Sequence, residues 1–291
     1  MNTILQHPVI IIYHGNCPDG FAAALAAQLF FQQYENYKSC KDKLLFYKGK
    51  HGNPPPDCQG KEVYILDFSY KREEMKQLCR QAIKVTLIDH HISAFKELTG
   101  LEQECDNLVM NFDMTQSGAV LSWKFFHDSA VPKLFEHVQD NDLWHFELNQ
   151  TRTVIMAIMS YPMQFKLWTS WLNDEQSLDR LHSEGTILQR QTDREIKRYT
   201  LAASMGKIAG YTVPVVNAPS RIGSELLHQL SDGHPFAAAY EDKPDRRVWQ
   251  LRSGGDKAID VSEIAQKFGG GGHKNASGFS TGTITIDLAI E

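Results

Sequence analysis

Short apolar runs rich in β-branched residues alternate with helix-like segments through the first part of the chain. A strand of a parallel sheet is buried on both faces, so its sequence is continuously apolar rather than alternating. Segments with helical composition or spacing lie between the runs at 21–33 and 70–83. The pattern predicts an α/β fold, a parallel sheet with helices on both faces. The expected strands are 8–14, 43–48, 62–68, 84–90 and 107–112.

The rest of the chain predicts a helical stretch followed by a smaller second domain. Apolar and aromatic stripes at 117–163, and spaced apolar residues in a charged stretch at 173–204, are typical of packed helices. We expect a first domain at 1–185, a helical linker at 186–206 and a smaller α/β domain with a mixed sheet at 207–291. The elements expected in the last domain are strands at 211–217, 236–241 and 247–253, a turn at 242–245, a helix at 261–268 and a final strand region at 275–287.

Carboxylates and imidazoles stand at or just after the ends of three expected strands. In a parallel sheet the carboxyl ends of the strands meet at one edge, where ligands bind. Oxygen ligands mixed with imidazole suit Mn²⁺, Fe or Zn²⁺, and a carboxylate placed between two such groups can bridge two ions. The sequence therefore predicts a two-metal site of the kind that hydrolyses phosphoesters. Its residues are His14 with Asp19, then Asp67, then Asp89, His90 and His91.

The order of these motifs resembles the DHH phosphoesterase superfamily. Asp-His-His alone is a weak signal, but several spaced motifs in the expected order over nearly the whole chain are specific. The last of them, with four glycines and a histidine, resembles the glycine-rich motif of the DHH-associated C-terminal substrate domain. In chain order the motifs occupy 14–20, Asp67, 89–91, 138–144 and 268–279.

The resemblance implies a binding site for divalent cations, expected to be two Mn²⁺ ions, with Mg²⁺ or another divalent ion as the alternative. It implies that His14 and Asp19 are terminal ligands and that Asp67 bridges the two ions. It further implies that His90 and Asp140 bind the second ion.

The resemblance also implies the catalytic residues. Asp67 would hold the metals, Asp89 would support the cluster, and His91 would lie close to the substrate phosphate. Asp142 competes with Asp140 for the last ligand position, and we favour Asp140.

The first motif departs from the family's pattern, which has two aspartates, one on each side of a single residue. Here only Asp19 is present. If Asp19 matches the first aspartate, Phe21 replaces the second; if it matches the second, Cys17 stands where the first should be. Asn16 or Cys17 would then supply the missing ligand, or one metal site is weaker or takes a different ion. Considered alone, Cys17 is more simply explained as a small packed side chain.

The glycine run near the end of the chain predicts an anion site. Glycines let the backbone approach a ligand closely and expose N–H groups to it, and an arginine offers a planar fork to phosphate. We expect these residues to bind the substrate's non-scissile phosphate or its base. The alternatives are that the glycine run forms only a flexible turn and that Arg252 is only an exposed charge on a strand. Arg221, at a predicted helix start, is a second phosphate candidate. The proposed substrate-binding residues are Arg252, Gly270, Gly271, Gly272 and His273.

Net charge limits the choice of substrate. Lys and Arg number 30 against 35 Asp and Glu, a formal charge of -5, whereas proteins that follow long nucleic acids are usually basic. We therefore expect a metal-dependent phosphodiesterase that hydrolyses short oligonucleotides or linear dinucleotides to mononucleotides. The alternatives are a phosphomonoesterase acting on a nucleotide-like or inorganic phosphate compound, and a catalytically decayed nucleotide-binding protein, which the missing aspartate motivates.

The five cysteines show no CxxC spacing, which predicts free thiols in a reducing compartment rather than a zinc ribbon or a disulfide framework. No run approaches the roughly 18 apolar residues that a membrane-spanning helix needs. We expect a cytoplasmic protein with no membrane partner, and a homodimer is left open.

Overall fold

The computed structural model describes residues 6–33 and 43–282. The chain divides into two compact units, Met1–Gln189 and Arg190–Glu291. The division falls within a long helix, Ser177–Leu201. The domain limits expected from the sequence, and the separate linker at 186–206, stay predictions.

The first unit contains a five-stranded sheet in which all neighbouring strands are parallel. The order of the strands is β2-β1-β3-β4-β5. This arrangement confirms the parallel α/β sheet predicted from the apolar runs. The strands are β1 (Val9–His14), β2 (Leu44–Gly49), β3 (Glu62–Leu66), β4 (Lys84–Asp89) and β5 (Leu108–Phe112).

Helices cover both faces of this sheet, as predicted. Alternate side chains of β1 belong to different cores: Ile11 lies in one apolar cluster and Ile10 in the other. The first cluster contains buried side chains of α1 and α4, among them Phe21 and Leu121, and the second contains buried side chains of α2 and α3, among them Leu78 and Leu98. The helices are α1 (Pro18–Phe31), α2 (Arg72–Gln81), α3 (Ile92–Leu98), α4 (Gly118–Phe126), α5 (Lys133–Asp142), α6 (Thr151–Ser160), α7 (Phe165–Leu172) and α8 (Ser177–Leu201).

The second unit contains a six-stranded mixed sheet with the order β10-β11-β9-β8-β7-β6. Only β7 and β8 are parallel neighbours, and the other pairs are antiparallel. Its elements are β6 (Ser204–Ile208), β7 (Tyr211–Asn217), α9 (Gly223–Leu230), β8 (Ala237–Asp242), β9 (Arg246–Arg252), α10 (Val261–Gln266), β10 (Gly271–His273) and β11 (Ala276–Gly282).

The strand β6 was not predicted from the sequence. It pairs with β7 through a two-residue turn, Ala209-Gly210, in which both residues have positive φ, 49° and 89°. Such a turn matches the twist of two antiparallel strands, although its first position usually holds Asn, Asp or Gly. Because Ala209 occupies this first position, no usual turn residue marks the start of the hairpin in the sequence.

Three smaller predictions concern cysteines, the final strand and membrane spans. Cys17, Cys58, Cys79 and Cys105 carry free thiols, whereas Cys40 lies outside the described residues. The strand region expected at 275–287 is described up to residue 282, as β11. Among the described residues, the helices are all too short or too polar to cross a bilayer.

Candidate metal centre

The carboxyl edge of the parallel sheet brings the polar strand ends together. β1 ends at His14, Asp67 follows the last residue of β3, and β4 ends at Asp89. The Asp67 N–H donates to the carbonyl oxygen of Ile88 at 2.9 Å, and its φ is 53°. A positive φ is uncommon for a residue other than glycine, and such strain is retained where the surrounding structure enforces it, often at functional sites.

Asp67 lies at the centre of a group of imidazoles. Its Oδ1 is 3.1 Å from His90 Nε2 and 4.0 Å from His91 Nδ1, and its Oδ2 is 3.5 Å from His14 Nδ1. The residue is only 2% exposed. Burial opposes ionisation of Asp67, but the three imidazoles outweigh it and hold the pKa of this carboxyl below its usual range.

Asp89 orients the two histidines that follow it. Its Oδ1 accepts the backbone N–H groups of His90 at 2.7 Å and His91 at 3.2 Å, and it lies 2.6 Å from His91 Nδ1. Burial lowers the pKa of His91, but the hydrogen bond with Asp89 and the negative charges of Asp89 and Asp67 raise it overall. The imidazolium form of His91 is therefore favoured.

Asp19 lies in the first turn of α1 and accepts hydrogen bonds from the N-terminus of α4. Its carboxylate accepts the backbone N–H groups of Gly118 at 2.7 Å and Ala119 at 3.0 Å. These groups carry the positive end of the helix dipole, which stabilises a carboxylate. Burial and the neighbouring Asp67 and Asp142 nevertheless raise the pKa of Asp19 well above its ordinary value.

The structure places Asp142, rather than Asp140, beside the cluster. The identity of the last ligand stays a prediction, and the geometry favours Asp142 over the Asp140 expected from the sequence. Asp142 Oδ2 lies 3.5 Å from His90 Nε2. The Asp140 carboxylate instead accepts hydrogen bonds from the Thr151 hydroxyl at 2.6 Å and from two backbone N–H groups of the loop after α5. Two residues along a helix differ by about 200° around its axis, so the two carboxylates face different surroundings.

A sequence signal for Asp142 did exist. Phe135 and Val138 are buried members of the same apolar cluster, and Asp142 continues their spacing of three and four residues along α5. The face of α5 that carries the buried apolar residues therefore includes Asp142.

The candidate ligands fall into two main donor groups. One ligand atom of each member lies within 4.8 Å of those of the others. Because Asp67 belongs to the first group and also lies 3.1 Å from His90 of the second, its carboxylate can be shared. The first group is His14, Cys17 and Asp67, and the second is Asp19, His90 and Asp142; a third combination is Asp67, Asp89, His90 and His91.

The chemistry of this cluster fits divalent cations. Oδ2 of Asp67 and Oδ2 of Asp89 are both buried and have no hydrogen-bond partner among the described residues. Buried polar atoms are normally satisfied, so such orphaned carboxylate oxygens need a cation or a donor. Mixed carboxylate and imidazole donors suit Mn²⁺, Fe²⁺ and Zn²⁺. The cluster can therefore hold metal ions.

The crowding of acids and imidazoles shifts the pKa values of Asp142, His90 and Cys17. Burial and the nearby Asp67 carboxylate raise the pKa of Asp142 to about 6. Burial lowers the pKa of His90, but its contacts with Asp67, Asp142 and Asp19 raise it to about 10. Loss of hydration, followed by the charges of Asp67 and Asp142, raises the pKa of the Cys17 thiol well above its ordinary value.

His51 is a neighbour of the cluster that was not predicted from the sequence. Its ring centroid is 5.9 Å from that of His14 and 4.7 Å from that of Phe68. It follows the carboxyl end of β2, at the same edge of the sheet as the other clusters. The strand-end rule that selected the other histidines applies to His51 as well.

In the second unit, Arg252 ends β9 and meets the first turn of α9. Its guanidinium donates to the Ser224 hydroxyl at 2.7 Å and to the Leu251 carbonyl at 3.3 Å, with no carboxylate partner among the described residues. Burial lowers the pKa of Arg252 to about 10. A desolvated cation of this kind is suited to an anion. By contrast, Arg221 forms a two-pronged pair with Glu195, so its charge already has a partner.

The glycine run serves strand packing as well as any ligand. A Cβ on Gly270 would lie 2.1 Å from the Gly278 carbonyl oxygen, and one on Gly272 would lie 2.5 Å from that of Ala276. Gly271 to His273 form β10, which pairs with β11. Close backbone approach, rather than a flexible turn, explains these two glycines; an anion-binding role for the run stays a prediction.

Comparison with known proteins places the chain among relatives. No protein-family model matches the sequence. The uncharacterised protein R106 of Acanthamoeba polyphaga mimivirus is 30% identical over 302 residues, covering 97% of this chain and 69% of R106. Oligoribonuclease NrnB of Bacillus subtilis is 25% identical, covering 96% of this chain and 74% of NrnB. The bifunctional oligoribonuclease and PAP phosphatase NrnA of Mycoplasma genitalium is 24% identical, covering 96% and 90%.

Two solved structures also show a similarity. An uncharacterised protein from Helicobacter pylori G27 covers 95% of this chain and 93% of its own, with 17% identity and a TM-score of 0.43. The pGpG-specific phosphodiesterase PggH from Vibrio cholerae covers 94% and 93%, with 11% identity and a TM-score of 0.48. Because both scores lie below 0.5, neither structure establishes a shared fold.

The site and the sequence relatives together define a class. A carboxylate and imidazole cluster at the carboxyl edge of a parallel sheet, and similarity to NrnB and NrnA over 96% of this chain, support a DHH-like phosphoesterase. Within that class, the chain belongs to the family of mimivirus protein R106.

Proposed function

We propose that this protein is a metal-dependent phosphodiesterase that hydrolyses short oligonucleotides or linear dinucleotides to mononucleotides. The observation that carries the proposal is the position of Asp67. Its buried carboxylate belongs to one donor group and lies 3.1 Å from His90 of the other, with one oxygen left without a hydrogen-bond partner among the described residues. A carboxylate so placed is suited to bridge two cations, preferably Mn²⁺.

The residues around Asp67 divide the work. When bound, the ions would make a nucleophilic water available near neutral pH and neutralise charge on the phosphoryl group. His14 and Asp67 would hold one ion, and Asp19, His90 and Asp142 would hold the other. Asp89 orients His91 through Nδ1 and favours protonation of its ring, so that Nε2–H would donate to a phosphoryl oxygen as negative charge develops there.

Substrate choice is inferred from charge and from the relatives. NrnB and NrnA are both named as oligoribonucleases, and the similarity covers 74% and 90% of their lengths. The formal charge of -5 disfavours a long polyanionic track. We assign Arg252, with Ser224 and the glycine run at 270–272 beside His273, to a second phosphate of a short substrate.

A second activity is favoured by one observation. The name of NrnA combines an oligoribonuclease with a PAP phosphatase. Phosphomonoester hydrolysis needs the same two-metal chemistry at phosphorus, so one site can serve both reactions. A catalytically decayed binding protein is disfavoured because such a protein has no use for crowded buried acids, among which Asp19 and Asp142 have raised pKa values and so cost folding free energy when charged.

The test is mononucleotide release from 5′-phosphorylated diribonucleotides by metal-stripped protein to which Mn²⁺ is returned. Asp67→Ala should lower the turnover number by about a thousandfold, roughly 4 kcal/mol, together with bound metal. Asp179→Asn, which changes an exposed carboxylate on α8, should leave both unchanged.

Three outcomes separate the alternatives. Release of mononucleotides by wild type and not by Asp67→Ala establishes the phosphodiesterase. Release of phosphate from a nucleoside bisphosphate without cleavage of the diribonucleotide transfers the assignment to the phosphomonoesterase. Absence of both turnover and metal binding overturns the enzymatic proposal.

A further inference from the structure

The loop between β1 and α1 places a thiol where the resembled motif has a carboxylate. Cys17 Sγ, a ring nitrogen of His14 and a carboxylate oxygen of Asp67 all lie within 4.8 Å of one another. Cys17 is the residue before α1, where its sulfur lies near the Gly20 N–H without completing a capping hydrogen bond. It is partly buried but belongs to neither apolar cluster of the first unit. Core packing therefore does not account for its position.

Phe21, the other candidate for the missing position, is committed elsewhere. Its side chain is 2% exposed and lies in the apolar core. Its ring stacks on Phe165 at 4.8 Å and meets the edge of Trp168 at 5.1 Å. Phe21 therefore does not stand in for a ligand, and Asp19 matches the second member of the motif's pair.

With that alignment, one residue of the pair serves each donor group. Cys17 belongs to the group with His14, whereas Asp19 belongs to the group with His90 and Asp142. Asn16, the other alternative, is exposed and has a φ of 60°, and it belongs to neither group.

We propose that the Cys17 thiolate is the third ligand of the ion held by His14 and Asp67, and that this thiolate makes the metal pair chemically unequal. The inference rests on the metal-dependent function proposed above. On metal binding the Cys17 S–H proton passes to solvent and the sulfur lone pair forms the bond to the cation. The formal charge supplied by the ligand is then -1, the same as that of the carboxylate it replaces.

The consequence is a difference in metal preference between the two groups. A thiolate is a soft ligand that favours Zn²⁺, Co²⁺ or Cd²⁺, whereas carboxylates favour harder ions such as Mn²⁺. The group of Asp19, His90 and Asp142 offers only oxygen and imidazole nitrogen. We expect the Cys17 group to select a thiophilic ion while the other group accepts Mn²⁺.

The test is spectroscopic and does not require turnover. Metal-stripped protein is titrated with Co²⁺, and the near-ultraviolet absorption is followed for a thiolate-to-cobalt charge-transfer band. Wild type should develop the band, while Cys17→Asp should bind Co²⁺ without it. Cys17→Ser is the second variant, in case the added carboxylate perturbs folding. Cys105→Ser, which removes a thiol outside these donor groups, should keep the band.

Competition between ions gives the second readout. Cys17→Asp should lower the ratio of Cd²⁺ affinity to Mn²⁺ affinity by about tenfold or more, because the soft ligand is lost and a hard one gained. Co²⁺ binding by wild type without the band, or a band that persists in Cys17→Asp, overturns the thiolate ligand while leaving the two-metal function standing. Failure of wild type to bind any of these ions overturns the metal-dependent function and the thiolate ligand with it.

Discussion

The two units treat their carboxylates in opposite ways. In the second unit, Glu241 accepts both the N–H and the hydroxyl of Ser220 at 3.0 and 2.6 Å and pairs with Lys243 at 2.7 Å. In the first unit, burial and neighbouring carboxylates raise the pKa of Asp19 and the pKa of Asp142, so the charged form of each is disfavoured. Carboxylates with partners stabilise a fold, whereas crowded carboxylates without enough partners destabilise it.

This difference separates structural acids from functional ones. A cluster that costs folding free energy persists when function requires it. The second unit shows the reverse case with a cation: Arg252 is desolvated and donates only to Ser224 and Leu251 among the described residues. The cluster of the first unit can therefore hold cations, and the desolvated Arg252 of the second unit suits an anion, which is the division of roles that we propose.

After Asp67→Ala, the largest expected effect comes from Gly118, which packs against the acids of the metal cluster. A Cβ there would lie 2.4 Å from Asp67 Cβ and 2.9 Å from Asp19 Oδ2. Gly118→Ala should displace both carboxylates and weaken divalent-metal affinity by about 10- to 100-fold, the range seen when the support of metal ligands is lost. Calorimetric Mn²⁺ titration measures it. Gly282→Ala, whose Cβ meets nothing within 4 Å, is the matched control; equal affinities for the two variants would contradict the crowding.

The next effect concerns the anion side of the comparison. Arg252→Lys keeps the charge but loses the planar fork, so the KM for a diribonucleotide should rise about tenfold while bound metal is unchanged. Steady-state kinetics with metal analysis checks both quantities. Arg246→Lys, on the same strand but paired with Asp245 and exposed, should leave KM unchanged. A loss of metal in Arg252→Lys would count against separate tasks for the two units.

A smaller effect is an increase in the unfolding free energy, whereas most substitutions lower it. The folded-state pKa of Asp142 is raised to about 6, so the folded chain holds that proton more tightly than the unfolded chain. Its charge therefore costs stability as pH rises from about 4 through 6. Asp142→Asn should increase the unfolding free energy of metal-stripped protein at pH 7 by about 1 kcal/mol, and the gain should vanish below pH 4. Urea unfolding at both pH values measures this, and destabilisation at pH 7 would refute it.

The smallest effect is the counterpart in the second unit. Lys243 and the two donors of Ser220 lower the pKa of Glu241 to about 2. A depressed carboxyl pKa contributes stability above the ordinary value, and this is lost as pH falls from about 4.5 toward 2. Glu241→Gln should cost less than about 1 kcal/mol at pH 7, since the group is near the surface, and nothing near pH 2. Urea unfolding compared with Asp142→Asn should show opposite signs; the same sign for both would remove the distinction between the two kinds of acid.

Much of the framework was predictable because it depends on local composition. The five apolar runs become the five parallel strands, since continuous hydrophobicity reports burial on both faces. The strand ends at His14, Asp67 and Asp89 were predictable for the same reason, and parallel pairing brings them to one edge. By contrast, β6 was not predicted because Ala209 occupies a position of the turn between β6 and β7 where glycine or asparagine is usual.

Sequence alone determined which kinds of ligand the chain owns and which strand ends carry them. Only the tertiary structure decided which members of near-neighbour pairs meet: Asp142 rather than Asp140, and Cys17 rather than Phe21. The physical reason is that Asp140 and Asp142, two residues apart on α5, face different sides of that helix, whereas Cys17 precedes α1 and Phe21 lies within it with its ring in the core. These orientations are fixed by packing against distant residues, such as Trp168 against Phe21, and no local pattern records them.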